Sequence, residues 1–148
     1  MPILQSTSNL TLLIDSDPAI NHIELLSECM RKLCSLTPLD QKAIEDINLS
    51  LVEGVNNVIE HSYAYRPGEA VQVNVSLQPD RVIIDIVDTG AGLENGVLPQ
   101  IQLNTFDPQD TQNLPEGGWG LFIMSNGMDE LQYSRVDGTN TLTLCKLF

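Results

Sequence analysis

At 148 residues, with 42% apolar and 18% charged side chains, the chain has the size and balance of one globular domain with an ample core. Twenty Asp and Glu against seven Lys and Arg leave a net charge of −13, which repels phosphate backbones and anionic lipid and so argues against direct nucleic-acid or membrane binding. Cys29, Cys34 and Cys145 form no C-x-x-C pair, the N-terminus has no basic n-region, and no stretch approaches the ~18 apolar residues of a membrane span. The expectation is reduced thiols in a cytoplasmic protein, without a zinc site or a disulfide framework.

In chain order, residues 9–15 put Leu10, Leu12 and Ile14 on one face of a first strand. Ser16 and Asp17 before Pro18 mark a helix start, after which Ile20, Ile23, Leu26, Met30 and Leu33 recur at helical spacing until residues 36–38. A longer helix is expected from about 40 to 62, with Ile44, Ile47, Leu51, Val55 and Val58 as its buried stripe. Residues 65–68 break it, and 71–77 alternate as a half-buried strand. Residues 81–88 suit a central strand, with Asp88 on the face of Val82, Ile84 and Ile86. Residues 89–118 carry glycines, prolines and polar groups, a length that compact domains keep for a use, and a lid over about 94–118 is expected. A short helix from Gly120, a strand near 131–136, a turn at Asp137-Gly138 and a last strand complete a single domain over 1–148.

Three segments carry candidate chemistry. On the long helix Glu53, Asn57 and His61 stand at i, i+4 and i+8, stacking a carboxylate, an amide and an imidazole along one line above Leu49, with apolar Val52, Val55, Val58 and Ile59 around them. A solvated polar face is the ordinary alternative. Asp88-Thr89-Gly90-Ala91-Gly92 follows the buried strand, and a carboxylate there is either an exposed strand end or aimed at a specific donor. The glycines permit close approach of a flat ligand or a plain positive-φ turn. Gly117, Gly118 and Gly120 precede a helix whose free N–H groups suit an anion, or form a hinge. No Lys or Arg lies between Arg81 and Arg135, so a bound triphosphate needs backbone amides and a divalent cation. His22 is read as surface and without a role.

Taken in order, E-x-x-x-N on a helix, D-x-G-x-G after a strand and G-x-G before a helix resemble the ATP-binding domain of gyrase, histidine kinases and heat-shock chaperones. The segments at 53–63, 86–93 and 117–131 make the chain similar to the anti-sigma factor serine/threonine kinases over essentially its whole length. The resemblance implies an α/β two-layer sandwich of the Bergerat type, with a mixed, mostly antiparallel sheet and helices on one face. It also implies ATP and Mg²⁺ as cofactors, with Asn57 as metal ligand and Glu53 as general base. Asp88 would accept the adenine amino group, Gly90 and Gly92 would let the base pass, and Gly118 and Gly120 would be lid glycines. Thr139 matches a position near the adenine. Trp119 stands where many relatives carry a basic residue, which removes a phosphate contact.

The implied function is phosphorylation of a small anti-anti-sigma-type regulatory protein by a kinase that also binds a sigma factor, with a homodimeric state left open. A module that binds ATP and sequesters its partner without catalysis is the rival reading. A domain that retains only the fold is a third.

Overall fold

The computed structural model describes residues 6–17, 22–93, 124 and 126–148. The expected lid and Gly118, Trp119 and Gly120 lie outside them. Strand β1 (Ser8–Asp15) leads to helices α1 (His22–Cys34) and α2 (Gln41–Asn57), and strands β2 (Ala70–Leu77), β3 (Arg81–Asp88), β4 (Glu130–Val136) and β5 (Thr139–Leu147) follow. The five strands form one sheet in the order β1-β2-β3-β5-β4, and every pairing is antiparallel.

Alternation builds the two layers. In β2 and β3 every second residue is buried, among them Val71, Val73, Val75, Val82, Ile84 and Ile86, while Gln72, Asn74 and Asp85 lie on the opposite face. Buried Leu26 and Met30 of α1 and Ile47, Leu51 and Val55 of α2 join the strand residues in one core cluster. Full burial of each such side chain contributes about 1.5–3 kcal/mol. Asp40 caps α2, its carboxylate accepting from the Ala43 N–H at 2.8 Å. A cap of this kind is worth about 1 kcal/mol, and it sets where the helix begins.

Gly54 is costly in a helix interior, and the fold gives its reason. A Cβ there would stand 2.5 Å from Ile86 Cδ1 and 3.5 Å from Met124 Sδ, so the missing methyl lets α2 lie close over β3. The expected continuous helix to residue 62 is corrected: α2 ends at Asn57 and passes into a π-helical turn, Val58–Ser62, closed by the Tyr63 N–H on the Val58 carbonyl. The wider turn takes His61 out of line with Glu53 and Asn57, and the imidazole is exposed with Glu60 at 3.9 Å. Ala64 and Tyr65 then adopt positive φ, which reverses the chain into β2. At the hairpin, Asp137 and Gly138 have φ of 51° and 79°, the sense of a two-residue turn with both central residues left-handed.

Candidate functional site

The antiparallel register places Asp88, last residue of β3, opposite Asn140 of β5. Asp88 is only 4% exposed, so its carboxylate needs partners. It has three, and all converge on Oδ1: the Ser62 hydroxyl, the Gly90 N–H at 2.9 Å and the Asn140 side-chain amide at 2.9 Å. Oδ2 has no partner among the described residues.

The π-turn is what delivers Ser62. Besides donating to Asp88, the Ser62 hydroxyl accepts from the Gly92 N–H at 2.9 Å, and the Ser62 carbonyl accepts from the Ala91 N–H at 2.8 Å. The adjacent Tyr63 hydroxyl donates to the Ala70 carbonyl at 2.6 Å and accepts from the Thr89 N–H at 3.0 Å. The loop after β3 is therefore stitched to the end of the helical segment through successive backbone groups. From the other side, Tyr133 and Arg135 of β4 hold the same loop, the Tyr133 hydroxyl accepting from the Leu93 N–H and the guanidinium donating to the Gly90 and Ala91 carbonyls.

These contacts also account for the two loop glycines. A Cβ at Gly90 would collide with the Ser62 carbonyl and hydroxyl, and one at Gly92, where φ is +84°, would lie within 2.8 Å of Arg135, Tyr133 and Asn140 atoms. What crowds both positions is the protein itself. The space between Gly54, Asn57, Asp88, Leu93, Tyr133 and Leu142 is narrow, about 10 Å³. That is room for about one water and not for a purine.

Glu53 and Asn57 stand one helical turn apart on α2, both half-buried, and neither side chain forms a hydrogen bond or ion pair among the described residues. They line a cavity of about 400 Å³ between α2, β1 and the start of α1, together with the carboxylates Asp15, Asp17 and Glu60. No Lys or Arg lines it among the described residues, so its field favours a cation. His22, expected on the surface, is half-buried on this wall, its Nδ1 accepting from the Asp15 N–H at 3.3 Å because the strand end turns back onto the helix start.

Thr139 is exposed at the hairpin and pairs with Val136, and strand parity brings Asn140, one residue on, against Asp88. Sequence reading also missed Ser62, Tyr63, Tyr133 and Arg135. Parity within 139–147 was the available signal for Asn140, since it shares a face with Leu142 and Leu144. Nothing local in the sequence pointed to the contacts of Arg135.

A divalent cation fits these residues to a limited degree. No group of three or more His, Cys, Asp or Glu suited to a metal occurs among the described residues. Mg²⁺ does not need one, because it is commonly held by one or two oxygen ligands with phosphates and waters completing the shell. The Asn57 amide oxygen, in an acidic cavity, is a donor of that type.

The layered antiparallel fold with Asp88 and Asn57 around one pocket matches a known family. The histidine kinase-like ATPase domain model matches residues 15–146, and the chain belongs to that family. Within it the chain is of the anti-sigma factor kinase type. It is 30% identical over 103 residues to the anti-sigma F factor of Clostridium beijerinckii, covering 70% of this chain and 69% of that protein. To the serine-protein kinase RsbW of Bacillus cereus strain AH187 it is 25% identical over 122 residues, 82% of this chain and 75% of the relative. Against RsbW of strain ZK / E33L the match is 28% over 100 residues, and the chain spans 61% of that relative's length. Among solved structures, SiaB in the SiaB-SiaC complex of Pseudomonas aeruginosa resembles it with a TM-score of 0.63, 14% identity and coverage of 93% of this chain and 88% of that one. The RsbU and RsbW domains of a Mycobacterium tuberculosis protein give 0.62, 21% identity and coverage of 95% and 32%. At those identities the two structures speak to the fold.

Among the described residues no helix is long and apolar enough to cross a membrane.

Proposed function

We propose that the chain binds ATP between α2 and the loop after β3 and transfers its γ-phosphoryl group to a serine or threonine of a small regulatory protein. The observation that carries this is Asp88: a buried carboxylate with one oxygen fully engaged and, among the described residues, the other open, beside a helix whose Asn57 amide and Glu53 carboxylate have no partner among those residues. Asp88 Oδ2 accepts from the adenine amino group. Admission of the base requires the pocket beside Asp88 to widen. Asn57 holds Mg²⁺, which when bound offsets phosphate charge that no nearby described Lys or Arg can offset. Gly118 and Gly120 contribute backbone N–H groups to the phosphates.

Glu53 acts as general base. It takes the proton of the incoming hydroxyl as that oxygen bonds to the γ-phosphorus and the bond from phosphorus to the β,γ-bridging oxygen breaks, releasing ADP. That Glu53 has no ion pair among the described residues supports the role, since a base already tied in an ion pair is a poorer acceptor. The acceptor we assign is an anti-anti-sigma-type protein, with a sigma factor competing for the same chain, by analogy with relatives named as anti-sigma factor and serine-protein kinase. The three cysteines, all free thiols, agree with the reducing cytoplasm.

Incubation of the full chain with γ-labelled ATP, Mg²⁺ and the co-purifying partner tests the proposal, with label expected on a partner serine or threonine. Partner binding with no label under saturating ATP would overturn it in favour of a sequestering module. The narrow pocket beside Asp88 favours neither of these over the other, and would fit instead a domain that retains only the fold.

A further inference from the structure

Arg135 is exposed, sits outside every sequence motif of the site, and is the first basic residue after Arg81. Its contacts are nonetheless concentrated on one side chain and one loop. A single terminal nitrogen, NH1, donates to the Gly90 carbonyl at 3.1 Å, the Ala91 carbonyl at 2.7 Å and Asn140 Oδ1 at 2.7 Å.

The last bond has a logical consequence for Asn140. A guanidinium donates and never accepts, so the Asn140 atom against NH1 has to be the amide oxygen. The Tyr133 hydroxyl, already accepting from the Leu93 N–H, donates to that same oxygen at 3.2 Å. With the oxygen end fixed by two donors, the NH₂ end of this fully buried amide is committed to its two acceptors, Asp88 Oδ1 at 2.9 Å and the Gly90 carbonyl at 3.1 Å. The Asn140 donor, with those of Ser62 and Gly90, saturates Oδ1 and pins the plane of the carboxylate. Oδ2 is left as a fixed acceptor. A carboxylate free to pivot could turn away from a mismatched group, and an amide free to flip could offer either end to it.

We propose that Arg135 is a positioning residue for base selectivity: by fixing the side-chain amide of Asn140 it holds Asp88 as a one-way acceptor that takes a 6-aminopurine and rejects a 6-oxopurine. This rests on the reading of the pocket as a nucleotide site. Adenine places a donor at its 6-position where inosine places an acceptor, and an acceptor facing a buried carboxylate oxygen is left unpaired and repelled. Arg135 acts at a distance, through Asn140, and is not itself assigned a contact with the base.

The test is calorimetric affinity of the full chain for ATP and for ITP, each with Mg²⁺. Wild type is expected to prefer ATP by about tenfold or more, the usual cost of a mismatched buried polar pair. Arg135→Met is expected to lower the ITP-to-ATP ratio of dissociation constants severalfold, and Arg135→Lys, which keeps a cationic donor, to restore most of it. If Arg135→Met weakens both nucleotides equally, the side chain only attracts the anion or stabilises the fold, and the inference is overturned while the nucleotide site stands. If wild type binds neither nucleotide, the site reading fails and the inference with it. Should Arg135→Met not fold, Arg135→Gln puts an amide that can donate or accept where the guanidinium can only donate, and an unchanged ratio there is equally decisive against the proposal.

Discussion

The two ends of the cleft are built on opposite principles. Around Asp88 nearly every polar atom is engaged: Ser62, Tyr63, Tyr133, Arg135 and Asn140 bind one another and the backbone of the glycine loop. At the other end Glu53 and Asn57 are half-buried and unengaged among the described residues, and they border a wide acidic cavity. A binding pocket that recognises one rigid heterocycle benefits from preorganisation, because the ordering entropy is already spent at folding. A site that must hold a cation, phosphates and a second protein's hydroxyl in turn needs groups that have not already found partners. The contrast predicts that substitutions at the first end lower stability and nucleotide affinity together, whereas those at the second alter chemistry and leave the fold intact.

The largest expected effect tests the open end. Glu53→Ala should lower phosphotransfer to the partner by about 10² to 10⁴, the ordinary worth of a general base, with thermal stability and ATP affinity close to wild type. Asn57→Ala should lose both ATP affinity and transfer. Filter-based phosphotransfer alongside thermal melts separates the outcomes, and a large drop in melting temperature for Glu53→Ala would place that carboxylate among structural groups and erase the contrast. At the closed end, Asp88→Asn should weaken ATP binding by about 1–3 kcal/mol, because the three donors keep the amide oxygen in the place of Oδ1 and turn the NH₂ group to the place of Oδ2, donor against the donor of the adenine amino group. The same variant should melt earlier than wild type. Calorimetry and a melt on one sample check whether the two losses travel together.

Much of this was legible in the sequence, and the exceptions have physical causes. Alternation with a period of two fixed β2, β3 and the inward direction of Asp88, since a carboxylate sharing parity with Val82, Ile84 and Ile86 has one place to point. The Asp-Gly pair marked the β4–β5 turn for the same kind of local reason. Two features depended on partners distant in sequence and left no local trace. The π-turn at 58–62 inserts its extra residue so that Ser62 reaches a loop about thirty residues on, and Arg135 finds the carbonyls of Gly90 and Ala91 across the sheet. Asn140 was legible only through strand parity, which a match to the Gly-Thr pair at 138–139 does not use. Helix propensity alone marks Gly54 only as a cost, because its contact, Ile86, belongs to another element.

A region remote from both ends provides a third test, of stability alone. Burial pushes the Cys34 thiol up to about 11, from an ordinary value near 9. The folded protein therefore binds this proton more tightly than the unfolded chain. Below pH 9 both states are protonated and the thiol contributes nothing to pH dependence. Between pH 9 and 11 the unfolded state releases the proton first, so stability falls as pH rises, by about 1 kcal/mol at pH 10. Urea unfolding at pH 8 and pH 10 should show a steeper loss for wild type than for Cys34→Ala, and the comparison is of slopes, because the smaller side chain lowers the level at every pH. Cys145 shifts in the same direction through burial, so some slope persists in the variant.

The smallest effect sits where the two ends meet. Gly54 borders the pocket beside both Asn57 and Asp88, and Gly54→Ala brings two opposed contributions of similar size. Alanine gains about 1 kcal/mol of helix propensity over glycine. Against this, its methyl would lie 2.5 Å from Ile86 Cδ1, an overpacking that typically costs about 1–3 kcal/mol. The neighbour is the tip of a flexible side chain and can turn, so the net loss should be near the low end, about 1 kcal/mol or less. Ile86→Val removes the clashing methyl, and the double variant Gly54→Ala, Ile86→Val should be more stable than the sum of the single changes predicts. A double-mutant cycle in urea reads that coupling directly. Strict additivity would mean that α2 does not rest on β3 at this point and that the closeness of the two ends of the cleft has another cause. Coupling without loss of ATP affinity would instead show that the helix can ride slightly higher over the sheet while Asn57 and Asp88 keep their relation across the pocket.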